Sequence, residues 1–503
     1  MKILLIKSGN LNTNAMSAVT HPLGIMYIAS YLRATRKDSI KILDTRISKD
    51  PFGQIQKNIR EFMPQIIGIS AITLEAQMLH KIASYIKSNT SNVMIIAGGP
   101  HATIFPEDVL KNAAIDIAVI GEGEETFKEL MDVIDQKGDL RNVDGIVFKQ
   151  NGNIIKTRKR RYIQDLDRIP YPAYDLINIE EYAKHPGAGS SGLRLYMTIL
   201  TSRGCPFKCT YCHKLSGFEF RARTPENIIN EIKMLIEQYN IFNFEIIDDI
   251  ANFNVHRFKY FLSLLKEKVK SKIFLSFPGG LRGDLLDEET IALMKEVGTV
   301  ELSLAIETAS QRLQKLIKKN LNIDKVKKII DFAVDKGIYV RGAFMLGFPT
   351  ETKEEIKATI NLACKSKLHE AHFFAVNPFG GTELSKQILS LKKDLPQDIQ
   401  YNELDFHVLL YNATQVSDST FKRLYIYAYL KFYFNPKRII RLFKDKKKLN
   451  DLPLLAWWFL KNIILTYLPK KKRKAELNVS NFNNVITIPL NPDIEDKDVR
   501  QDK

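Results

Sequence analysis

Two stretches of the chain alternate short apolar runs with amphipathic segments of helical periodicity. The first stretch, residues 1 to about 135, has its apolar runs at 2–6, 40–44, 66–70, 93–99 and 115–121. Strands separated by helices in this way predict a doubly wound parallel sheet of the Rossmann type. The strands end in Gly, Ser, Thr and Asp, which favours a ligand crevice at their carboxyl ends. A role for these small residues in tight turns alone stays open.

The second stretch, residues 195 to about 379, repeats the alternation. Its apolar runs lie at 195–202, 242–248, 273–279, 300–306, 339–347 and 372–379. A helix is predicted to begin at Thr224-Pro225-Glu226, where Thr can cap, Pro suits the first helical position and Glu suits the dipole. Six strand-helix units predict a partial (β/α)6 barrel of the TIM type, with its chemistry at the carboxyl ends of the strands.

The remaining segments divide the chain. A connector contains an expected hairpin with its turn at Asn151-Gly152, followed by the proline-punctuated run IPYPAYDL. After the barrel the sequence turns helical, aromatic and basic, and it ends in a polar tail. The predicted domains are a Rossmann-like domain at 1–140, the connector at 141–194, the barrel at 195–400, a helical basic region at 401–475 and the tail at 476–503.

Cysteine content and charge limit the compartment and the partners. Four cysteines in 503 residues give no disulfide framework, and the start MKILLIKSGN lacks the apolar core of a secretory signal. We therefore expect a cytoplasmic protein. The net charge of +17 is largely local, because residues 436–474 hold 13 Lys and Arg against 2 Asp.

Three of the four cysteines fall within eight positions, directly after the first predicted barrel strand. Cys205, Cys209 and Cys212 have the spacing C-x3-C-x2-C, which lets thiolates converge on a soft metal centre. A structural zinc needs four ligands, and His213 beside Cys212 would require strained geometry. An electron-transfer cluster normally has four protein ligands, but Cys364 lies in a helical run and fits a buried structural thiol. Three ligands on an iron-sulfur cluster leave one iron open.

The run CPFKCTYC resembles the C-x3-C-x-aromatic-C signature of the radical S-adenosylmethionine (SAM) enzymes. The resemblance implies a 4Fe-4S cluster on Cys205, Cys209 and Cys212, whose open iron chelates the amino and carboxylate groups of SAM. It also implies that Tyr211 fills the aromatic position near the adenine.

The second and third barrel strands end in further positions that match this family. Asp248 and Asp249 match the position that holds the amino group of the cofactor, although solvated carboxylates in a turn are an alternative. Arg282 matches the third-strand region, where it would meet the cofactor carboxylate or line the substrate pocket. An exposed salt-bridging arginine is the alternative.

The fourth and fifth strands supply four more matches. Ser303 and Glu307 match the motif that contacts the ribose or amino end of SAM, and Glu307 joins Arg282 as a candidate catalytic residue. Gly347 permits close backbone approach, and Met345 matches a position that packs on the adenine. A methionine in plain core is equally consistent with the sequence.

The N-terminal half resembles the cobalamin-binding domain fused to one branch of this family. The matching stretches are His21-Pro-Leu-Gly24, Gly98-Gly-Pro-His101 and Gly121-Glu-Gly-Glu124. Many such domains carry D-x-H-x-x-G, whose histidine ligates cobalt, but here Arg46 replaces that histidine and cannot coordinate. The domain either binds cobalamin without a lower protein ligand, which we predict, or is a scaffold that no longer binds it.

The predicted cobalamin contacts follow the strands of the first sheet and are rich in backbone groups. They are Ser70, Thr73, Gly98, Gly99 and Gly121. His101 is ambiguous, because a histidine at this place can also cap the following helix.

The resemblance implies an enzyme in which the reduced cluster cleaves SAM to a 5'-deoxyadenosyl radical, and methylcobalamin then methylates an unactivated carbon. Other members of the branch catalyse cyclisation, ring rearrangement or oxidation, and a non-catalytic iron-sulfur electron carrier is a further alternative. The expected partners are a small-molecule or lipid-like substrate and a reductant such as flavodoxin or ferredoxin.

The C-terminal region carries one more interpretation. Residues 452–468 are apolar but are interrupted by Pro453, Lys461 and Asn462, so a membrane span is not expected. A helix in the headgroup plane, with residues 436–474 contacting the inner face of the membrane, and a helix packed over the barrel mouth are the two alternatives. Nucleic-acid binding is not expected, since the basic clusters lack interleaved aromatic residues.

Overall fold

The computed structural model describes residues 1–10, 18–90, 92–189, 195–391, 406–407 and 409–444. The apolar run 452–468 and the tail 476–503 therefore lie outside the described residues. Within these bounds the chain is an α/β protein with two parallel sheets, which confirms the predicted fold class.

The first sheet has seven strands in the order β2-β1-β3-β4-β5-β6-β7. Its strands and the helices between them are β1 (Lys2–Lys7), α1 (Leu23–Thr35), β2 (Ser39–Asp44), α2 (Pro51–Phe62), β3 (Ile66–Ser70), α3 (Ala76–Asn89), β4 (Met94–Gly98), α4 (Gly99–Ile104), α5 (Pro106–Lys111), β5 (Ile117–Val119), α6 (Gly123–Asp135), β6 (Ile146–Gln150) and β7 (Asn153–Lys156). The first five strands are parallel. Apolar side chains pack on both faces of this sheet, which is why its strands read as nearly continuous apolar runs.

The hairpin in the connector turns at Asn151-Gly152, and both turn residues have positive φ, as a type I′ turn requires. Its strand β6 pairs antiparallel with β5. The hairpin thus belongs to the first sheet and covers the edge that β5 would otherwise expose.

The second sheet has six strands in the order β15-β14-β13-β12-β11-β8, and all of its pairs are parallel. Its elements, with two short strands beside it, are α7 (Ile179–Tyr182), β8 (Met197–Ile199), β9 (Ser202–Arg203), β10 (Arg221–Ala222), α8 (Pro225–Tyr239), β11 (Asn243–Ile246), α9 (Val255–Lys268), β12 (Phe274–Leu281), α10 (Glu288–Glu296), β13 (Thr299–Glu307), α11 (Gln311–Leu316), α12 (Ile323–Asp335), β14 (Tyr339–Leu346), α13 (Lys353–Lys365) and β15 (Glu370–Ala375). Thr224 caps α8 as predicted, accepting from the Asn227 N–H.

Three further helices follow the barrel: α14 (Glu383–Leu391), α15 (Asp418–Tyr433) and α16 (Pro436–Lys444). The hydroxyls of Tyr425 and Tyr429 on α15 donate to the Phe373 carbonyl of β15, at 2.6 and 3.0 Å. Helix α15 therefore covers the edge strand of the barrel. None of the helices in the described part of the chain has the length and apolarity that a membrane crossing requires.

Candidate functional site

The three clustered cysteines lie on the loop that follows β9, at the carboxyl edge of the barrel. Cys205 and Cys209 are half-buried, and Cys212 is exposed. The loop is anchored at both ends, because the Cys205 N–H donates to Gly217 O at 3.2 Å and the Thr210 N–H donates to Ile317 O at 3.0 Å. Burial raises the pKa of the half-buried Cys205 thiol, and the neighbouring Cys209 acts in the same direction.

The arrangement of these thiols suits a cluster better than a single metal ion. Zinc-sulfur bonds of about 2.3 Å bring thiolates to about 3.8 Å from one another. Among the described residues, the one group of three ligand atoms within 4.8 Å lies elsewhere and contains no cysteine. Cys364 is buried in α13 and is no fourth ligand. Three separated thiols at the barrel edge fit a 4Fe-4S cluster with one open iron.

A glycine and two aspartates hold the root of the cysteine loop. Gly204 has φ +82°, and a Cβ there would lie 2.1 Å from Glu219 O, so only glycine fits. Its N–H donates to exposed Asp249 at 3.0 Å. Buried Asp248 accepts from the Thr201 N–H and from the hydroxyls of Thr201 and Ser202. The buried carboxylate of Asp248 is thus occupied by the loop, whereas Asp249 accepts one backbone hydrogen bond from it and is otherwise exposed.

A buried ionic network joins the cysteine loop to the end of β13. The Tyr211 hydroxyl donates to Glu307 Oε1 at 2.9 Å, and Lys319 Nζ donates to the same oxygen at 2.9 Å and to the Tyr211 hydroxyl at 3.1 Å. Glu307 has φ +66°, a conformation that non-glycine residues seldom adopt. Burial, and next the charge on Glu307, raise the pKa of Tyr211 well above its usual range. The sequence did not single out Lys319.

Arg282 is the second candidate catalytic residue, and it contacts the same loop. Its guanidinium lies 3.9 Å from the ring centre of Phe207, between Cys205 and Cys209. It also pairs with Asp284 and donates to the carbonyls of Lys319 and Asn320. The side chain is about nine-tenths buried, so the exposed salt bridge considered above is not what the structure contains.

Gly347, Met345 and Ser303 lie on the two strands beside this network. Gly347 has φ +105°, and a Cβ there would approach Leu409 to 2.8 Å. Its N–H and that of Phe348 donate to buried Glu351 at 2.6 and 3.0 Å. Met345 and Tyr211 are both half-buried and pack against one apolar cluster. Ser303, also half-buried, pairs in register with Arg341 of β14.

The predicted cobalamin contacts gather at the carboxyl edge of the first sheet. Ser70 and Gly98 end the paired strands β3 and β4, and Thr73 begins a short 3-10 turn. A Cβ on Gly98 or Gly121 would meet no atom within 4 Å, whereas one on Gly99 would reach the Ser70 hydroxyl at 2.7 Å. The backbone is thus open at Gly98 and Gly121, which leaves room for a large ligand against it.

Arg46 lies at the same edge, and its guanidinium is paired with other groups of this chain. Its guanidinium pairs with Asp44 at 2.6 Å and donates to Thr20 O at 2.7 Å, while the Tyr182 hydroxyl donates to Asp44 at 2.8 Å. The ion pair fills the place of a lower-ligand histidine without offering a lone pair. This edge fits a corrin held without a protein ligand to cobalt.

The two edges are joined by ion pairs that the sequence did not reveal. Arg203, two residues before Cys205, donates to Glu122 at 3.1 Å and to Glu124 at 2.6 Å, and Arg221 pairs with Glu122 at 2.9 Å. Both glutamates belong to the predicted Gly121-to-Glu124 stretch. The cobalamin edge and the cysteine loop therefore lie against each other.

Comparisons with known families agree with this arrangement. The chain matches the B12 binding domain over residues 10–131 and the Radical SAM superfamily over residues 199–363. These two regions contain the glycine-rich edge and the cysteine loop, in the predicted order.

Two curated relatives cover most of the chain. An uncharacterized methyltransferase of Pyrococcus horikoshii is 32% identical over 451 residues, covering 88% of this chain and 94% of that protein. Cytidylyl-2-hydroxyethylphosphonate methyltransferase of Streptomyces wedmorensis is 28% identical over 440 residues, covering 77% of this chain and 82% of that protein.

A solved structure has the same fold. The radical S-adenosylmethionine methyltransferase TsrM from Kitasatospora setae, solved with cobalamin and a 4Fe-4S cluster bound, superposes with a TM-score of 0.65. The match covers 80% of this chain and 81% of that chain at 16% identity. At this identity the likeness shows the fold alone.

Proposed function

The chain belongs to the radical SAM enzymes that carry a B12-binding domain, and from this premise we propose that it transfers a methyl group to an unactivated carbon of a small molecule. Its cofactors are those of the family: a 4Fe-4S cluster, SAM and cobalamin. Both curated relatives described above are methyltransferases by name, which favours methyl transfer over cyclisation, ring rearrangement or oxidation. An electron carrier needs neither the open iron nor the B12 domain.

One observation carries the proposal: the loop with three cysteines lies against the glycine-rich edge of the B12-binding domain. Arg203 connects the two through Glu122 and Glu124, and all three side chains are largely buried. Two cofactors bound at these edges would share one enclosed space. Methyl transfer requires this, because the reacting carbon must be reached from both cofactors.

When bound, the cluster and SAM supply a 5'-deoxyadenosyl radical, and cobalamin supplies the methyl group. The chain contributes binding and orientation. Cys205, Cys209 and Cys212 would hold the cluster, and we assign the amino group of SAM to Asp249, which is exposed at the root of the cysteine loop. Asp248 serves the same site indirectly by fixing Thr201 and Ser202 at the loop root.

Glu307 and Arg282 provide charges of opposite sign beside the cysteine loop. We assign Glu307 to the ribose or amino end of SAM and Arg282 to its carboxylate, with Ser303 beside them. Both charged side chains are held by neighbours, Glu307 by Lys319 and Tyr211, and Arg282 by Phe207 and Asp284. Preorganised charges lose little freedom when the cofactor binds.

Gly347 and Met345 would shape the wall next to the adenine, and Tyr211 would close it from the loop. On the other side, Ser70, Thr73, Gly98, Gly99 and Gly121 would contact cobalamin. Arg46, paired with Asp44, would offer cobalt no lone pair.

The substrate would enter the barrel lumen between these edges. A Cβ on Gly280 of β12 would find only the Ala305 methyl within 4 Å, at 3.9 Å, so the wall there is lined by small groups. We assign this space to a small organic substrate. Electrons would come from a flavodoxin or ferredoxin, since one-electron reduction of a cluster needs a one-electron donor.

We also propose that the chain makes peripheral contact with a membrane. Tyr427 and Leu430 on the outer face of α15, and Phe434 directly after the helix, are 45, 40 and 67% exposed. Residues 419–444 contain seven Lys and Arg and no acidic residue. Aromatic and aliphatic groups among cations suit an anionic bilayer surface, and a lipid-like substrate would then be within reach.

Anaerobic reconstitution tests the methyl-transfer proposal. The protein is loaded with iron, sulfide and hydroxocobalamin, desalted, and reduced in the presence of SAM. We expect cluster absorption, retained corrin bands, 5'-deoxyadenosine and S-adenosylhomocysteine. The last product reports transfer of the SAM methyl group to cobalamin.

Omission of hydroxocobalamin is the matched control. A methyltransferase loses S-adenosylhomocysteine without cobalamin, whereas an enzyme for cyclisation or oxidation makes 5'-deoxyadenosine and never makes S-adenosylhomocysteine. A cluster that cleaves no SAM under any condition would refute the radical mechanism. Flotation with anionic vesicles, compared between the full chain and L430K/F434K, tests the membrane contact.

A further inference from the structure

A second group of metal-ligand side chains lies in the B12-binding domain, outside the cysteine loop. It consists of His80 on α3, His101 on α4 and Asp108 on α5. One ligand atom of each residue lies within 4.8 Å of the other two, and among the described residues this is the one such group of three. The three side chains are 6, 0 and 4% exposed. Methyl transfer as proposed above uses none of them.

The chemistry of the group suits a cation. Burial lowers the pKa of His80 to about 4 and that of His101 to about 3, so both rings are neutral near pH 7. The Asp108 carboxylate lies 4.0 Å from His101 Nε2 and 3.2 Å from Lys111, whose side chain is half exposed. His80 Nε2 is buried and has no hydrogen-bond partner in the described part of the chain. A buried polar atom in this state needs an explanation, and a bound cation supplies one.

We propose that His80, His101 and Asp108 bind one divalent transition-metal cation, of which zinc is the representative. Two imidazoles and one carboxylate are a common donor set for such ions, with bonds of about 2.0 to 2.2 Å. Those bond lengths place the donor atoms about 3.3 Å apart, so the side chains need to close by up to about 1.5 Å.

The position of the site gives the ion a structural role. Its ligands come from three consecutive helices, so the ion would tie α3, α4 and α5 together. Helix α4 begins at Gly99, and a Cβ on Gly380 would touch Phe105, which follows α4, at 3.0 Å. The ion would therefore fix both the predicted cobalamin loop and its contact with the barrel.

Metal content measures the proposal directly. The cluster-loaded full chain and a variant with Cys205, Cys209 and Cys212 changed to Ala are dialysed against buffered Zn²⁺ and analysed by mass spectrometry. We expect close to one zinc per chain in each, and a Kd raised about 100-fold or more by H80Q or D108N. X-ray absorption should show nitrogen and oxygen neighbours and no sulfur. H256A, which removes an exposed histidine of α9, is the matched control.

Each outcome decides the question. Zinc that is absent from the cysteine-free chain, that shows sulfur neighbours, or that remains in both H80Q and D108N would overturn the site. If the ligand variants do not fold, the zinc X-ray absorption spectrum of the unsubstituted chain still identifies the ligand atoms. Formation of 5'-deoxyadenosine is measured in parallel, so failure of the metal site and failure of the radical mechanism remain distinguishable.

Discussion

The carboxyl edges of the two sheets differ in the chemical groups that they present. At the barrel edge, buried carboxylates are held by side-chain hydrogen bonds. Asp248 accepts from Thr201, and Glu307 accepts from Tyr211 and Lys319. The edge of the first sheet presents bare backbone at Gly98 and Gly121, and its Asp44–Arg46 pair is turned to protein partners.

This difference predicts which kind of substitution impairs ligand binding or activity at each edge. A side-chain network loses function when one member is removed, because its partner becomes a buried charge without compensation. A backbone surface tolerates loss of a side chain but not added bulk, because the ligand occupies the space where a side chain would project. Deletions should therefore damage the barrel edge, and enlargements the sheet edge.

Removing a cluster ligand should have the largest effect. We expect C205A to abolish both cluster absorption and 5'-deoxyadenosine formation, since two thiolates cannot retain the cluster. C364A removes the buried thiol of α13 and should keep both signals. Iron content and product yield, measured side by side, check this. Retention of SAM cleavage by C205A would assign the chemistry to another site.

Lys319 and its neighbour Lys318 offer the next test. K319M leaves Glu307 buried without its cation, which should cost about 3 to 5 kcal/mol of unfolding free energy. We expect 5'-deoxyadenosine formation to fall about 10- to 100-fold, because Glu307 and Tyr211 support the cluster loop. K318M breaks only the half-exposed pair with Glu383 and should change little. Equal losses of stability and of 5'-deoxyadenosine formation in K319M and K318M would contradict a supporting role for the Lys319–Glu307 ion pair.

Enlarging Gly98 tests the other edge. Its backbone is extended and a Cβ meets no atom within 4 Å, so G98A should fold and keep its corrin. G98L should fold as well, but its side chain would occupy the predicted corrin space and weaken cobalamin binding about tenfold or more. Corrin absorbance after desalting measures this. Full retention by G98L would move cobalamin away from this strand end.

The sequence predicted more of the fold than of the site. Strand positions were visible because buried parallel strands are apolar throughout, and the cysteine spacing marked the loop. The role of Lys319 and the partners of Glu122 were invisible, because Tyr211, Arg203 and Arg221 lie far from them in the chain. No local pattern separates Lys319 from the lysines around it. The sequence also did not reveal that Asp248 accepts from Thr201 and Ser202 at the loop root, since a pair of adjacent carboxylates looks the same in either orientation.

The smallest expected effect concerns Glu351, whose carboxyl group accepts from two backbone N–H groups at the barrel edge. Burial raises its pKa to about 8. The folded protein therefore keeps a proton that the unfolded chain releases near pH 4.5. Stability contributed by this group falls as pH rises from about 4.5 to about 8 and changes no further above that range.

E351Q should remove this contribution while keeping an acceptor for the Gly347 and Phe348 N–H groups. We expect the Tm of the unmodified protein to fall between pH 5.5 and 8 by a few degrees more than that of E351Q. E354Q changes an exposed residue in the first turn of α13, three residues after Glu351, and should follow the unmodified protein. Parallel curves for all three proteins would mean that the carboxylate is ionised in the folded state and that the Gly347 turn is held by an anion.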